Sequence, residues 1–191
     1  MTRIAGAERK GLLRGVYRYA EKQYDRLPEP TVVFGHHKKL LVGYGALESA
    51  LERSHRVDDK LKAMAELKAA MLAGCEWCLD IGSPIARESG MTDDQLRDLH
   101  RHSESEHFSE LERLVVDYAV GMTRTPVDVS DELFARLAEH FDEAQLVELT
   151  SAIAIENFRA RFNWAFDMRP QGFSDGQYCV RPQEAAEAAT T

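Results

Sequence analysis

Two thiols stand three positions apart in "LAGCEWCLDIG", residues 72–82: Cys75 and Cys78, with Trp77 between them and Gly74 in front. A thiol reacts as its thiolate, and a helix start favours that anion through unpaired N–H groups and aligned peptide dipoles. Three-residue spacing also lets the second sulfur reach the first, so oxidation of either can end in an internal disulfide. Two other readings fit the same residue types. Free cysteine is among the most buried residues, so the pair could be plain core. A C-x-x-C is also half of a zinc site, but such sites want four ligands. Here Cys179 stands alone, and His100 and His102 lack the spacing of a second ligand pair. The residues leave all three readings open and favour the redox one.

The elements that must position the pair read as helices. Leu12, Leu13, Val16, Tyr17 and Ala20 recur at helical spacing over roughly 7–24, until Pro28 and Pro30 interrupt. Leu40, Leu41, Tyr44, Leu47 and Leu51 share one face of a second helix. Asp58 or Asp59 caps a third, with a stripe of Leu61, Met64, Ala65, Lys68, Met71 and Leu72 that runs into Gly74. The cysteine pair opens the next helix, which stops at Gly90. Thr92, Ser109 and Asp142 each begin a capping box, and Ser130 caps "DELFARLAEHF". The helix after Asp142 runs to about Phe166 and is apolar on most sides, which predicts burial. No stretch alternates as a strand does, so the fold class is all-α. One helical domain over 31–170 is expected, with an N-terminal helical extension (1–30) and a C-terminal tail (171–191) whose end, "RPQEAAEAATT", is polar and mobile.

Composition narrows the function. With 191 residues, 44% hydrophobic and 29% charged, the chain can bury a sizeable core. A net charge of −8 argues against a nucleic-acid or anionic-membrane surface. The start lacks the apolar stretch of a signal peptide and no run reaches membrane-spanning length, so a cytoplasmic protein is expected. In that compartment a C-x-x-C is redox-active or metal-binding rather than a structural disulfide.

The stretch "LKAMAELKAAMLAGCEWCLDIGSPIARESGMTDDQL" resembles the carboxymuconolactone decarboxylase superfamily, specifically its AhpD-like alkyl hydroperoxidase branch. The shared features are an apolar helix ending in Gly-Cys, C-x-aromatic-C, a helix to "SG" and a capped helix. The upstream "FGHHKKLLVGYGALESAL" and the later "FDEAQLVELTSAIAIENFRARFN" are similar to the lead-in and closing helices of that family. The resemblance implies an all-α, oligomeric helical bundle with the pair at the start of a central helix. It implies thiol peroxidase or disulfide oxidoreductase activity: Cys78 attacks a hydroperoxide or other small oxidant, Cys75 resolves it to a disulfide, and a dithiol carrier, a small protein or lipoyl-type group, reduces the pair. No further cofactor and no metal are implied. A decarboxylase-like enzyme acting on a small acid or lactone, or a redox-sensing or assembly protein, are the alternatives on the same scaffold.

The branch also uses a glutamate twelve residues before the first cysteine and a histidine four after the second as a proton relay. This chain has Ala63 and Gly82 there, and neither moves a proton. Glu66, one turn beyond Ala63, and Glu156, on an apolar stripe with Leu149, Ala152, Ile153 and Ala160, are the candidate substitutes. For Glu66 the competing reading is a solvated helix glutamate. For Glu156 it is an ion pair with Arg159 or Arg161, since a buried carboxylate must be paired or protonated. Asp80 balances the helix start or, as an anion near a thiol, raises that thiol's pKa. Trp77 packs beside the thiols or lines an entry, and Cys179 is either a second resolving thiol or inert.

Overall fold

Helix α4 (Asp59–Leu72) is the axis of the protein, in a computed structural model that describes residues 2–182. Every residue from Leu61 to Met71 except Glu66 is buried. Alanine-rich sequence makes this possible, combining high helix propensity with side chains small enough for neighbours to approach closely. Asp58 starts the helix by accepting from the Lys60 and Leu61 amides. Gly74 ends it at φ 70°, with the Cys75 amide donating back to the Ala70 carbonyl. That left-handed turn is one that glycine adopts at least cost.

The other helices wrap this axis in the order α1 (Leu12–Tyr24), α2 (Glu29–Phe34), α3 (Lys38–Glu52), α4, α5 (Glu76–Glu88), α6 (Asp93–Asp98), α7 (Glu110–Thr123), α8 (Asp131–Ala138) and α9 (Glu143–Ala165), with one 3-10 turn, Leu99–Arg101. Among the described residues there is no strand, so the fold is all-α. α5, α7 and α9 pack directly on α4. The capping boxes at Thr92, Ser109 and Asp142 are all formed, each with its reciprocal glutamine or glutamate, and Ser130 caps α8. One apolar cluster surrounds the cysteine pair, with Met64, Leu67, Met71, Trp77, Leu79, Leu96 and Val116. A second joins α4 to α7, α8 and α9 through Ala65, Ala69, Val115, Leu137, Leu149 and Ile153. A third, smaller one holds α1 to α2 and α3 through Leu13, Tyr17, Phe34 and Leu41.

Three expectations from sequence need correction. The Pro28–Pro30 stretch is not simply a break, because α2 starts at Glu29 with Pro30 in its first turn, where no amide donor is needed. Leu40 and Leu47 do not share the buried face with Leu41; they are 56% and 45% exposed. α9 is not buried all round either: Val147, Phe158 and Trp164 face outward while Leu149, Ile153 and Ala160 pack inward.

Residues 171–180 lie against the core. Val180 is buried, and its amide donates to the Ser83 hydroxyl of α5. Arg181 and Pro182 are exposed, and the rest of the expected mobile end, 183–191, lies outside the described residues.

Candidate redox site

The pair sits at the junction of α4 and α5, and its two sulfurs are joined, with the Cα atoms 5.3 Å apart. Cys75 is the N-cap of α5: its sulfur accepts the Cys78 amide at 3.2 Å. Both cysteines are almost fully buried, Cys75 at 3% and Cys78 at 4% exposure. The helix start thus points its dipole at Cys75, while Cys78 lies inside the first turn.

Ala63 and Gly82, the positions where the resemblance places a relay, make packing contacts. Ala63 is buried in the cluster around the pair. A Cβ at Gly82 would stand 3.2 Å from Leu67 Cδ1 of α4, a tight contact that the leucine would have to accommodate by a few tenths of an ångström.

A residue that sequence reasoning missed faces the sulfurs instead. Asn163 of α9, 2% exposed, brings its amide nitrogen to 3.4 Å from Cys78 Sγ and 3.7 Å from Cys75 Sγ. Its position is fixed on both sides. The Met168 amide donates to the Asn163 carbonyl as α9 ends in a left-handed Asp167, and the next residue, Trp164, donates from its indole to the Ala73 carbonyl at 2.8 Å. An asparagine 85 residues from Cys78 leaves no local signal in sequence.

Asp80 does not act on the thiols as an isolated anion. One carboxylate oxygen accepts the amides of Gln171, Gly172 and Phe173 at 2.8, 2.8 and 3.1 Å, and the other accepts the amide and hydroxyl of Ser174 at 3.0 and 2.7 Å. Burial alone would raise its pKa, but these five donors outweigh that and hold it below the ordinary carboxylate range. Gln171 ties the same segment to the first turns of α5 and α2, accepting the Trp77 indole N–H at 2.8 Å and the Glu29 amide at 2.8 Å. Phe173 meets the Trp77 ring edge-on. Cys179 is half-buried on this segment, with Ser83 Oγ 3.8 Å from its sulfur.

Glu66 and Glu156 are brought together, on Arg159 rather than on a sulfur. The guanidinium donates to Glu66 at 3.0 Å and to Glu156 at 3.0 Å, and grips Glu48 of α3 through two nitrogens. Arg161 turns away to Asn157. Glu156 lies seven residues before Asn163, about 10 Å along α9, so it is a neighbour of the pair's support and not of the sulfurs. Three carboxyls share one cation, and Glu156 Oε1 is buried without a partner. Burial, and then the nearby Glu66, push Glu156 up to about 8 against the pull of Arg159; burial also raises Glu66. Glu156 therefore keeps its proton at neutral pH.

That proton has a measurable consequence. Between the ordinary glutamate pKa and about 8 the folded state holds a proton that the unfolded chain has released, so stability falls as pH rises through this window. Glu156→Gln, close in shape to the protonated acid, should melt near the parent at about pH 4, where the unfolded chain also keeps the proton, and increasingly above it as pH rises to about 8.5. A difference in melting temperature that stays constant between the two pH values would contradict a protonated Glu156.

Known proteins share this arrangement of helices. Residues 40–120 match the carboxymuconolactone decarboxylase family. The uncharacterised protein YnjA of Escherichia coli is 38% identical over 123 residues, 64% of this chain and 68% of YnjA. The chain belongs to the carboxymuconolactone decarboxylase family. Among solved structures, a cysteine-to-alanine variant of the debrominase Bmp8 in complex with 2,3,4-tribromopyrrole superposes with a TM-score of 0.80 at 23% identity, over 91% of this chain and 94% of that one. The alkylhydroperoxidase AhpD core of an uncharacterised peroxidase-related protein from Ralstonia eutropha gives 0.79 at 16% identity, over 90% and 94%. These two structural likenesses bear on the fold.

Proposed function

We propose that the protein is a dithiol peroxidase in which Cys75 and Cys78 reduce a hydroperoxide. The observation that carries this is the joined pair itself, capping a helix in a family that contains enzymes. The Cys78 thiolate attacks the outer oxygen of the hydroperoxide; the O–O bond breaks, the sulfur becomes a sulfenic acid, and the alkoxide takes up a proton as alcohol. Cys75 then attacks that sulfur as a thiolate, forming the disulfide and releasing water. A dithiol carrier returns two electrons and two protons through a mixed disulfide, which suits a reducing compartment such as the cytoplasm. Purified, reduced protein should consume an organic hydroperoxide with the loss of two titratable thiols per chain and no covalent dimer. Consumption no faster than by an equal amount of free dithiol sinks the reading. Since Ala63 and Gly82 remove the relay, general acid–base help worth about 10²–10⁴-fold is missing, and turnover should be slow for the superfamily.

A second reading follows from the likeness to a debrominase with a bound bromopyrrole. The same pair could take a halogen from an aromatic carbon: one thiolate captures the halogen, the carbon gains a proton, and the other thiolate displaces halide as the disulfide forms. Halide release from a brominated pyrrole, with no hydroperoxide activity, would select it.

The surface fits self-association. Leu40, Val42 and Leu47 of α3 and Val147 and Phe158 of α9 are exposed. An open groove of about 480 Å³ runs between these helices, lined by Leu47, Leu51, Ala144 and Val147. Apolar helix surface of this kind is ordinarily covered by another copy. Sedimentation at micromolar concentration should give a dimer or larger even-numbered assembly, and Val147→Glu should shift it towards monomer. A parent protein that sediments as monomer contradicts this.

A further inference from the structure

Loss of the relay leaves the attacking thiol without a base, and Asn163 occupies the position from which another group could serve. We propose that Asn163 is a catalytic residue, its side-chain N–H stabilising the Cys78 thiolate in the reduced protein so that attack proceeds without a neighbouring general base. The assignment rests on the dithiol reading for its consequence in turnover, though its test does not.

Three observations carry it. The amide nitrogen is the donor end of the side chain, and it sits 3.4 Å from Cys78 Sγ, closer than to Cys75 Sγ at 3.7 Å. It comes from α9, a different element from the α5 N-terminus that Cys75 caps. Cys75 has the helix start and the Cys78 amide at 3.2 Å, and Cys78 has the asparagine. The donor is also preorganised: Trp164 bolts the end of α9 to α4, the Asp167 turn fixes the Asn163 carbonyl, and the side chain is buried at 2% exposure. A fixed dipole in a dry site stabilises a sulfur anion more than the same dipole in solvent, because no reorganisation is needed. Of the two acidic side chains two positions from Cys78, Asp80 has both oxygens occupied by residues 171–174, and Glu76 is exposed with Arg169 at 3.6 Å.

The chemistry is electrostatic. Asn163 neither takes nor gives a proton; it lowers the cost of charge on Cys78 Sγ before attack, and the proton from the thiol goes to solvent. This differs from a glutamate–histidine relay, which moves the proton itself. A mechanism of this kind should follow the thiolate fraction of Cys78 with pH.

The test uses reduced protein with Cys75→Ser, so that Cys78 is the thiol of the pair being read, and follows its alkylation by iodoacetamide across pH, with Cys179→Ser in the same background. Asn163→Leu keeps the approximate shape and removes the donor; it should raise the Cys78 pKa by about one unit, a roughly tenfold smaller thiolate fraction at neutral pH. Asn163→Asp, which places an acceptor and a charge at the same spot, should raise it further. With both cysteines restored, Asn163→Leu should slow the first oxidation by hydroperoxide about tenfold at neutral pH and recover most of the loss at high pH. A purely packing role would change melting temperature and leave the alkylation pKa where it was. If Cys78 alkylates with the parent pKa in Asn163→Leu and Asn163→Asp, the proposal is overturned. If the pKa rises as expected while the parent protein consumes no hydroperoxide, the donor assignment stands and the peroxidase reading falls.

Discussion

Cys78→Ser should reduce hydroperoxide consumption to the rate seen without protein, whereas Cys75→Ser should keep one oxidation per chain and lose turnover. The two variants separate because the thiols do different work. Serine at 78 removes the sulfur that breaks the O–O bond, and a hydroxyl cannot replace it at neutral pH, being almost wholly protonated. Serine at 75 leaves that step intact but removes the resolving partner, so Cys78 stops as a sulfenic acid and moves on to sulfinic acid with excess oxidant. Mass spectrometry should find one added oxygen on Cys75→Ser, then two. The geometry makes the assignment open to a clear reversal, since Cys75 is the one that caps α5 and meets the helix dipole directly. If Cys75→Ser loses the fast oxidation and Cys78→Ser keeps it, Cys75 is the attacking thiol and the order inferred from the family resemblance is wrong for this chain.

The sequence displays local chemistry well. Capping is decided within four residues, which is why the boxes at Thr92, Ser109 and Asp142 could be read directly and are all formed. The cysteine pair belongs to the same kind: three-residue spacing after a glycine defines a helix start, and Cys75 is its cap. Helix α2 was hidden because two prolines look like a break unless the second is recognised as a first-turn residue. The exposed Leu40 and Leu47 show another limit, since helical periodicity marks an apolar face without saying whether the core or another surface covers it.

The candidate site was legible at its sulfurs and not around them. Glu156 stood out as a carboxylate on an apolar stripe, yet its environment depends on Glu66 and Glu48, and these lie 93 and 111 residues from the arginine they share. That sharing turns a simple ion pair into a three-carboxyl cluster holding a proton, which no spacing rule conveys. Asn163 and Asp80 are similar cases. Each is a common polar residue whose role comes from what a distant segment places against it: two sulfurs for one, four consecutive amides for the other.

Asp80→Ala is expected to be the most destabilising single change in the protein outside its large core side chains. Its carboxylate takes the amides of residues 171–174 and the Ser174 hydroxyl while being 2% exposed. Alanine leaves those donors facing an apolar wall, and each orphaned buried donor costs about 1–3 kcal/mol. Some will reach water as the segment lifts, so a net loss of about 3–5 kcal/mol is expected, or roughly 10 °C in melting temperature for a chain of this size. Asp80→Asn should fall between, because an amide oxygen can accept two of the bonds and its NH₂ opposes the others. The effect should also appear with acid in the parent protein. The folded-state pKa lies below the ordinary value, so the stabilisation is fully present above the unfolded pKa of about 4 and is lost as pH falls through the folded value. Release of the segment frees Gln171 from the Trp77 indole, so Trp77 emission, read with Trp164→Phe, should shift to the red in Asp80→Ala and in the parent only at strongly acid pH. Chymotrypsin should then cut after Phe173 more readily in the variant. If Asp80→Ala melts within about 2 °C of the parent, which for this length is under about 1 kcal/mol, the carboxylate is not what holds 171–174 in place, and Val180 and Phe173 would have to hold it through apolar contact alone.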